Sequence, residues 1–471
     1  MSRSEASQLD SLPLPSRGGQ TPAHSASGKV AGGADFLEQL PELYHDRGFW
    51  GMTATQLFGA FNDNVFKQLM LLLAVPVGAA AVSAEDQQGL ATMVFSVPFV
   101  LFSGYAGYLS DRYSKWTIIL WSKLAECLVM ALGMLAFLTY GVTGYPGLLF
   151  VLFLMGTQSA FFGPGKYGIL PEMLRPRDLP RANGLILMTT FLAIIFGTAS
   201  AGALGQGLID SEAPLSASAY RLWWGSACCL VIALVGTATA WTIRRVRPAK
   251  PDLQFRLAAL AVPRETRQLL RDDPLLLAAL LASCMFWLVS GISIQAVNSL
   301  GMVQLDVGKL WTSVLTATIG VGIAIGAVVA GRMCRGRADP RVVRLGTGGI
   351  LLFLILLSIS LPGHRHLLGP WGSVPVLILV GMSAGMFAIP VQVCIQSRPP
   401  AMLKGRVIAF MNQANFFAIT LSGAIYWAFD RAIEAAAWPR STLFALIALL
   451  FVPVAVWYRL PADAPSENHE R

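Results

Sequence analysis

Charge is what this chain has least of. Only 13% of its 471 residues are charged, about half the share of roughly 25% found in soluble domains. That scarcity, beside a hydrophobic share of 55% and a mean hydropathy of +0.58, excludes a soluble globular protein. Cysteine is sparse as well. Cys127, Cys228, Cys229, Cys284, Cys334 and Cys394 fall in or beside apolar stretches without metal-ligand spacing, so neither a disulfide framework nor a zinc centre is expected. No G-x-x-x-x-G-K-S/T segment occurs, because Gly165-Lys166 is followed by Tyr167, which argues against ATP-driven work by this chain. None of the five histidines has an aspartate five residues on, so the His-x-x-x-x-Asp signature of acyltransferases is missing. An enzyme is not expected, and no cofactor is called for. The N-terminal residues also lack the basic-then-apolar pattern of a cleaved signal peptide.

What the chain does have is apolar runs. Twelve windows lie near 49–76, 88–110, 116–140, 146–165, 183–208, 220–243, 274–298, 308–332, 342–361, 371–396, 406–429 and 441–459, each close to the roughly 20 residues that cross a bilayer. The expected fold is an all-α membrane protein of twelve transmembrane helices in two six-helix, pseudo-symmetric bundles. An offset of 224 residues brings Gly107 onto Gly331, and nearly the same shift brings Arg175-Pro176-Arg177 onto Arg398-Pro399-Pro400. Duplication of a six-span unit in parallel is a common plan for secondary transporters. The organisation then reads as a flexible cytoplasmic tail over 1–45, a first bundle over 46–244, a cytoplasmic linker over 245–273, a second bundle over 274–460 and a tail over 461–471. Within the linker, 253–260 has the pattern of an amphipathic segment at the membrane surface.

Basic residues concentrate in alternate loops. Those after even-numbered spans carry Arg112 and Lys115; Lys166, Arg175, Arg177 and Arg181; the run from Arg244 to Arg271; Arg332, Arg335, Arg337, Arg341 and Arg344; and Arg398, Lys404 and Arg406. The other loops hold Arg221, Lys309, Arg365, Arg431 and Arg440. The positive-inside rule places the first set, and both termini, in the cytoplasm. The net charge of +9 is thereby a matter of topology, and no nucleic-acid partner is implied.

Polar residues inside the spans carry the functional expectation. Asp63, within Phe61-Asn62-Asp63-Asn64, sits at mid-span with Lys67 one turn on. An ionisable group at that depth is costly and reads as functional, while the plainer reading is a pair neutralising itself at i, i+4. Lys123 and Glu126, at i and i+3, either neutralise each other or line a cavity. Pro164, Gly165 and Gly168 surround Lys166 and predict a break in span 4 of the kind that lines cavities; a lysine near a span end also snorkels. Gln295 and Asn298 in span 7, and Asn412, Gln413 and Asn415 in span 11, can bond a polar ligand or a neighbouring helix.

Gly107-Tyr108-Leu109-Ser110-Asp111-Arg112-Tyr113-Ser114-Lys115 resembles the G-x-x-x-D-R-x-G-R/K signature of the major facilitator superfamily, with Ser114 in place of the second glycine. The resemblance implies a cytoplasmic latch built from Gly107, Asp111, Arg112 and Lys115 that favours the outward-facing state. Its second-half counterpart, Gly331-Arg332-Met333-Cys334-Arg335-Gly336, lacks the acid. Three further segments are similar to the bacterial lysophospholipid transporter family: Gln56 to Asn64, Gly163 to Glu172 with Arg181-Ala182-Asn183-Gly184-Leu185, and Gly385 to Pro390 with Gln392. That likeness implies movement of lysophospholipids, chiefly lysophosphatidylethanolamine, from the outer to the inner leaflet of the bacterial inner membrane for re-acylation. A separate acyltransferase would then be a partner, membrane lipids the surroundings, and a monomer the working unit. Asp63, Asn64, Lys67, Lys166 and Tyr167 would meet the head group, with Lys123, Glu126, Gln295, Gln392 and Asn412 as further contacts. Members of that family carry an arginine in span 7 that is missing here. The competing reading is a proton-coupled drug or small-metabolite exporter of the same fold; a membrane scaffold or receptor for a lipid enzyme is a third.

Overall fold

A computed structural model describes residues 41–76, 85–209, 219–254, 264–334 and 339–458. Within them the predicted windows become helices α1 (Arg47–Ala74), α2 (Gln88–Arg112), α3 (Lys115–Leu138), α4 (Tyr140–Gly168), α5 (Leu179–Leu208) and α6 (Trp223–Ala240). The second set is α7 (Pro274–Ser299), α8 (Gly308–Cys334), α9 (Pro340–Ser358), α10 (Gly369–Ser397), α11 (Ala401–Ala435) and α12 (Thr442–Trp457). Ten of these, α2 to α11, are long and apolar enough to cross a membrane. The exceptions have separate causes: α12 is apolar but only 16 residues long, and α1, at 28 residues, is diluted by Asn62, Asp63, Asn64, Lys67 and Gln68.

Local chemistry sets the helix starts. Aspartates cap α1, α7 and α9 from Asp46, Asp273 and Asp339, each accepting from backbone N–H groups of the first turn. These acceptors satisfy donors that a helix N-terminus leaves orphaned. All three caps lie at the end of the molecule that carries the arginine-rich loops.

The packing pattern repeats. In the first half α1 packs on α5 and α6, α2 on α4, and α3 on α4 and α6. Shifted by six helices, α7 packs on α11 and α12, α8 on α10, and α9 on α10 and α12. Each half has its own buried apolar core, one running from Val65 to Ala233 and the other from Leu270 to Val454. The halves meet along α2 with α11 and α5 with α8. At the first crossing a Cβ on Gly89 would lie 2.4 Å from the Gly423 carbonyl oxygen, so only glycine permits this approach.

Some details depart from expectation. Leu43–His45 forms a short 3₁₀ turn with Leu43 buried, inside the expected tail; 1–40 and 461–471 lie outside the described residues. The linker contributes a helix at Arg264–Asp272, whereas most of the amphipathic segment at 253–260 is outside the described residues. A two-stranded hairpin, β1 (Ser360–Leu361) with β2 (Arg365–His366), joins α9 to α10. The break expected at Lys166 is absent: α4 stays helical through Pro164 to Gly168, and its one irregular residue is Gly144 at φ 56°. A proline in a helix removes one hydrogen bond, and Ile169 N–H still reaches Gly165 at 3.0 Å.

Candidate functional site

Residues seven apart share a helix face, and two such stripes meet here. Gln56 and Asp63 lie on one face of α1; Ser159 and Lys166 lie on one face of α4. Ser159 Oγ donates to Asp63 Oδ2 at 2.6 Å, and Gln158 Nε2 lies 3.4 Å from Asp63 Oδ1. Gln158 also donates to Ser159 Oγ at 2.8 Å, which holds both groups in place. One to two turns toward the basic end, Lys166 Nζ donates to Thr190 Oγ1 on α5 at 3.4 Å, and Thr190 donates to Gln56 Oε1 at 3.0 Å. Gln56 Nε2 completes the set by donating to Thr189 Oγ1 at 3.0 Å. An acid and a base thus meet hydroxyl and amide groups on three adjacent helices.

The i, i+4 neutralisation of Asp63 by Lys67 does not form. Lys67 Nζ instead sits 5.4 Å over the Phe95 ring of α2, a cation–π contact. Asn64 turns back to the Ala60 carbonyl at 2.7 Å. Lys123 and Glu126 make an ion pair that is fully buried between α1, α3 and α6, with Asn62 Nδ2 donating to Glu126 Oε1 at 2.9 Å. Of the two readings the sequence allowed for them, the structure has the self-neutralising pair. Tyr167 has a side chain outside the described set. Gln392 is half-buried on α10 and Asn412 exposed on α11, away from the Asp63 cluster in sequence and helix.

Gln295 and Asn298 belong to a different assembly at the end opposite the basic loops. Gln68 Nε2 donates to Asn298 Oδ1 at 2.8 Å, and Asn298 Nδ2 donates to Gln88 Oε1 at 2.9 Å. Gln88 Nε2 reaches the Gln295 carbonyl and Tyr426 hydroxyl, and Tyr426 donates to Asp86 Oδ2 at 2.7 Å. Glu85 and Arg431 add an exposed ion pair. Further along, Lys309 N–H donates to Gln206 and Thr420 to Ser96, and Phe99 stacks on Phe416 with centroids 3.9 Å apart. These contacts close the two halves together from that end to the middle of the helices.

The basic end is arranged otherwise. Among the described residues, a Cβ on Gly107, Gly331 or Gly405 would meet nothing within 4 Å. The Asp111 carboxylate takes no hydrogen bond or ion pair among the described residues; its backbone carbonyl accepts from Lys250 N–H at 2.8 Å. Arg112 donates to Tyr108, and Lys115 pairs with Glu172 just after α4. Asp111, Arg112 and Lys115 therefore engage the first half or the linker, and Gly107 has no close neighbour among the described residues.

Sequence reasoning passed over Ser159, Gln158 and Thr190. Their signal was faint: Gln158 and Ser159 are an uncharged polar pair two turns before Lys166, in a span otherwise read for its apolar content. Gln56 stood inside a recognised motif but without a role.

The Major Facilitator Superfamily model matches residues 52–424. Among curated proteins, the chain is 26% identical over 381 residues to the lysophospholipid transporter LplT of Pectobacterium carotovorum, covering 79% of this chain and 84% of that protein. It is 27% identical over 394 residues to LplT of Escherichia coli O7:K1, covering 81% and 88%. Among solved structures, the inward-open xylose transporter XylE of E. coli aligns with a TM-score of 0.62 at 14% identity, covering 89% of this chain and 97% of that one. A mutant of the nucleoside transporter NupG aligns with a TM-score of 0.60 at 13% identity, covering 88% and 98%; at such identities the likeness is one of fold. By the extent of the family match and the shared architecture, the chain belongs to the Major Facilitator Superfamily.

Proposed function

We propose that this transporter carries lysophospholipids such as lysophosphatidylethanolamine from the outer to the inner leaflet of a bacterial inner membrane by alternating access. The observation that carries the reading is the placement of Asp63 and Lys166 on adjacent helices, with Ser159 and Gln158 on the acid and Thr190 on the base. A zwitterionic head group asks for that pair: an anion for its ammonium and a cation for its phosphate. Inside a low-dielectric bundle both attractions are strengthened relative to water. The similarity to lysophospholipid transporters over most of the chain supports the same substrate class.

Alternation follows from the two ends. Polar contacts bind the halves at the end away from the basic loops, while the latch glycines stand apart at the other. With the basic loops in the cytoplasm, this is an inward-facing arrangement. Leaflet-resolved uptake into proteoliposomes, using lysophospholipids that differ only in head group, tests the proposal. Asp63→Asn and Lys166→Ala should each abolish uptake with the protein still folded. Uptake by both variants at the unmodified rate would overturn the assignment, and proton-dependent efflux of an unrelated solute would favour the exporter reading.

A further inference from the structure

A groove of about 590 Å³ runs between the end of α2, α3 and α4. Trp121 and Leu128 on its α3 wall are 66% and 62% exposed, so the groove opens on the outer surface of the first half. From Thr117 to Leu132, both lining it, α3 rises about 22 Å at 1.5 Å per residue. That exceeds one leaflet's share, about 15 Å, of a hydrocarbon core of about 30 Å. The groove is long, narrow and almost wholly apolar, with room beside α3 for one acyl chain.

Its two ends decide the occupant. At the basic end stands Tyr113, with the Arg112 guanidinium 5.6 Å from its ring centroid; an arginine beside an aromatic at the membrane interface suits a lipid phosphate. Midway along the α4 wall lies Gln158, the same side chain whose amide is 3.4 Å from Asp63 Oδ1 and 2.8 Å from Ser159 Oγ. One residue thus separates the groove from the acid of the candidate site.

We propose that this groove receives the single acyl chain of the transported lysophospholipid as it leaves, the tail lying along α3 and the phosphate at Arg112. The proposal rests on the lysophospholipid reading above. It adds a lateral release track on α2, α3 and α4, separate from the seams where the two halves meet. Gln158, as the shared wall, is the residue through which tail and head-group sites sense each other.

The test uses the full chain in proteoliposomes with a lysophosphatidylethanolamine bearing a diazirine near the end of its tail. After illumination, labelled peptides are mapped by mass spectrometry, and uptake is measured in the same vesicles. Label should fall on α3 and α4 between Thr117 and Phe161. Leu128→Trp fills the groove from an exposed position and so spares the fold; it should lower both labelling and uptake about tenfold, a 1.4 kcal/mol effect. Leu135→Trp, exposed on the same helix but outside the groove, should change neither. Label confined to other helices while uptake proceeds would overturn the groove and leave transport standing. Displacement of the label by diacyl phosphatidylethanolamine as readily as by the unlabelled lysolipid would also overturn it, since the groove would then hold bulk lipid. Absence of uptake by the unmodified chain would remove the transport reading, and the track with it.

Discussion

Ser159 on α4 donates a hydrogen bond to the Asp63 carboxylate on α1 across 2.6 Å, and this bond sets the direction in which the acid of α1 points. A hydrogen bond to a charged group is worth about 1.5–3 kcal/mol. Ser159→Ala should therefore weaken substrate handling by about tenfold or more without abolishing it, because the carboxylate and Gln158 remain. Initial uptake rates across a lysophospholipid concentration series would measure this. A Ser159→Ala rate equal to that of the unmodified protein would show that the bond does not orient the acid.

The buried Lys123–Glu126 pair makes a stability prediction of a different kind. Removing one partner of such a pair costs about 3–5 kcal/mol, because the other charge is stranded. Lys123→Met or Glu126→Gln alone should lower the melting temperature in detergent sharply, and the double variant should recover much of the loss. Additive losses in the double variant would argue that the two side chains act independently.

Closure at the end away from the basic loops depends on the Gly89–Gly423 crossing. A side chain at Gly89 would collide with the Gly423 carbonyl, 2.4 Å from the added Cβ. Gly89→Val should hold that end open, so that a cysteine placed at Thr92, which is buried in this arrangement, reacts faster with an impermeant thiol reagent. Unchanged reactivity would mean that the added side chain is absorbed without α2 and α11 parting.

A pH response is expected at the same end. Burial in the connection between α1 and α2 raises the Asp86 carboxyl above its ordinary value, despite bonds from Gln88 and Tyr426 and the pull of Arg440. Opening would wet the acid and return it toward the usual range, so the closed form holds the proton more tightly. Closure is then favoured as pH falls, and the advantage is lost as pH rises through the raised value. Spin labels at positions 85 and 431 should move together on acidification, and Asp86→Asn should flatten the response. A pH dependence that survives Asp86→Asn would assign it to another group.

The helices were legible because apolar length is a strong signal, and Asp63 because an acid in such a run is costly. Other features were hidden by weak or shared signals. Pro164 read as a break, yet a single missing N–H is tolerated when Ile169 still bonds Gly165. Ser159 and Gln158 bear no charge, so nothing in α4 marked them until α1 was placed alongside. By sequence Gln295 and Asn298 suit a polar ligand or a neighbouring helix alike; the partners that decide for the helix, Gln88 and Gln68, lie more than 200 residues away, a pairing no local pattern encodes. Lys123 and Glu126 were ambiguous because i, i+3 spacing suits a private pair and a cavity wall alike.

The polarity of α1 bears on how the chain is made. It precedes α2 to α11 in the chain and falls short of the apolarity that they reach, since charged residues near a helix centre disfavour insertion by about 2.5–3.5 kcal/mol each. Stable integration of α1 therefore draws on α4 and α5, which bring the hydroxyls and amides its polar stripe needs.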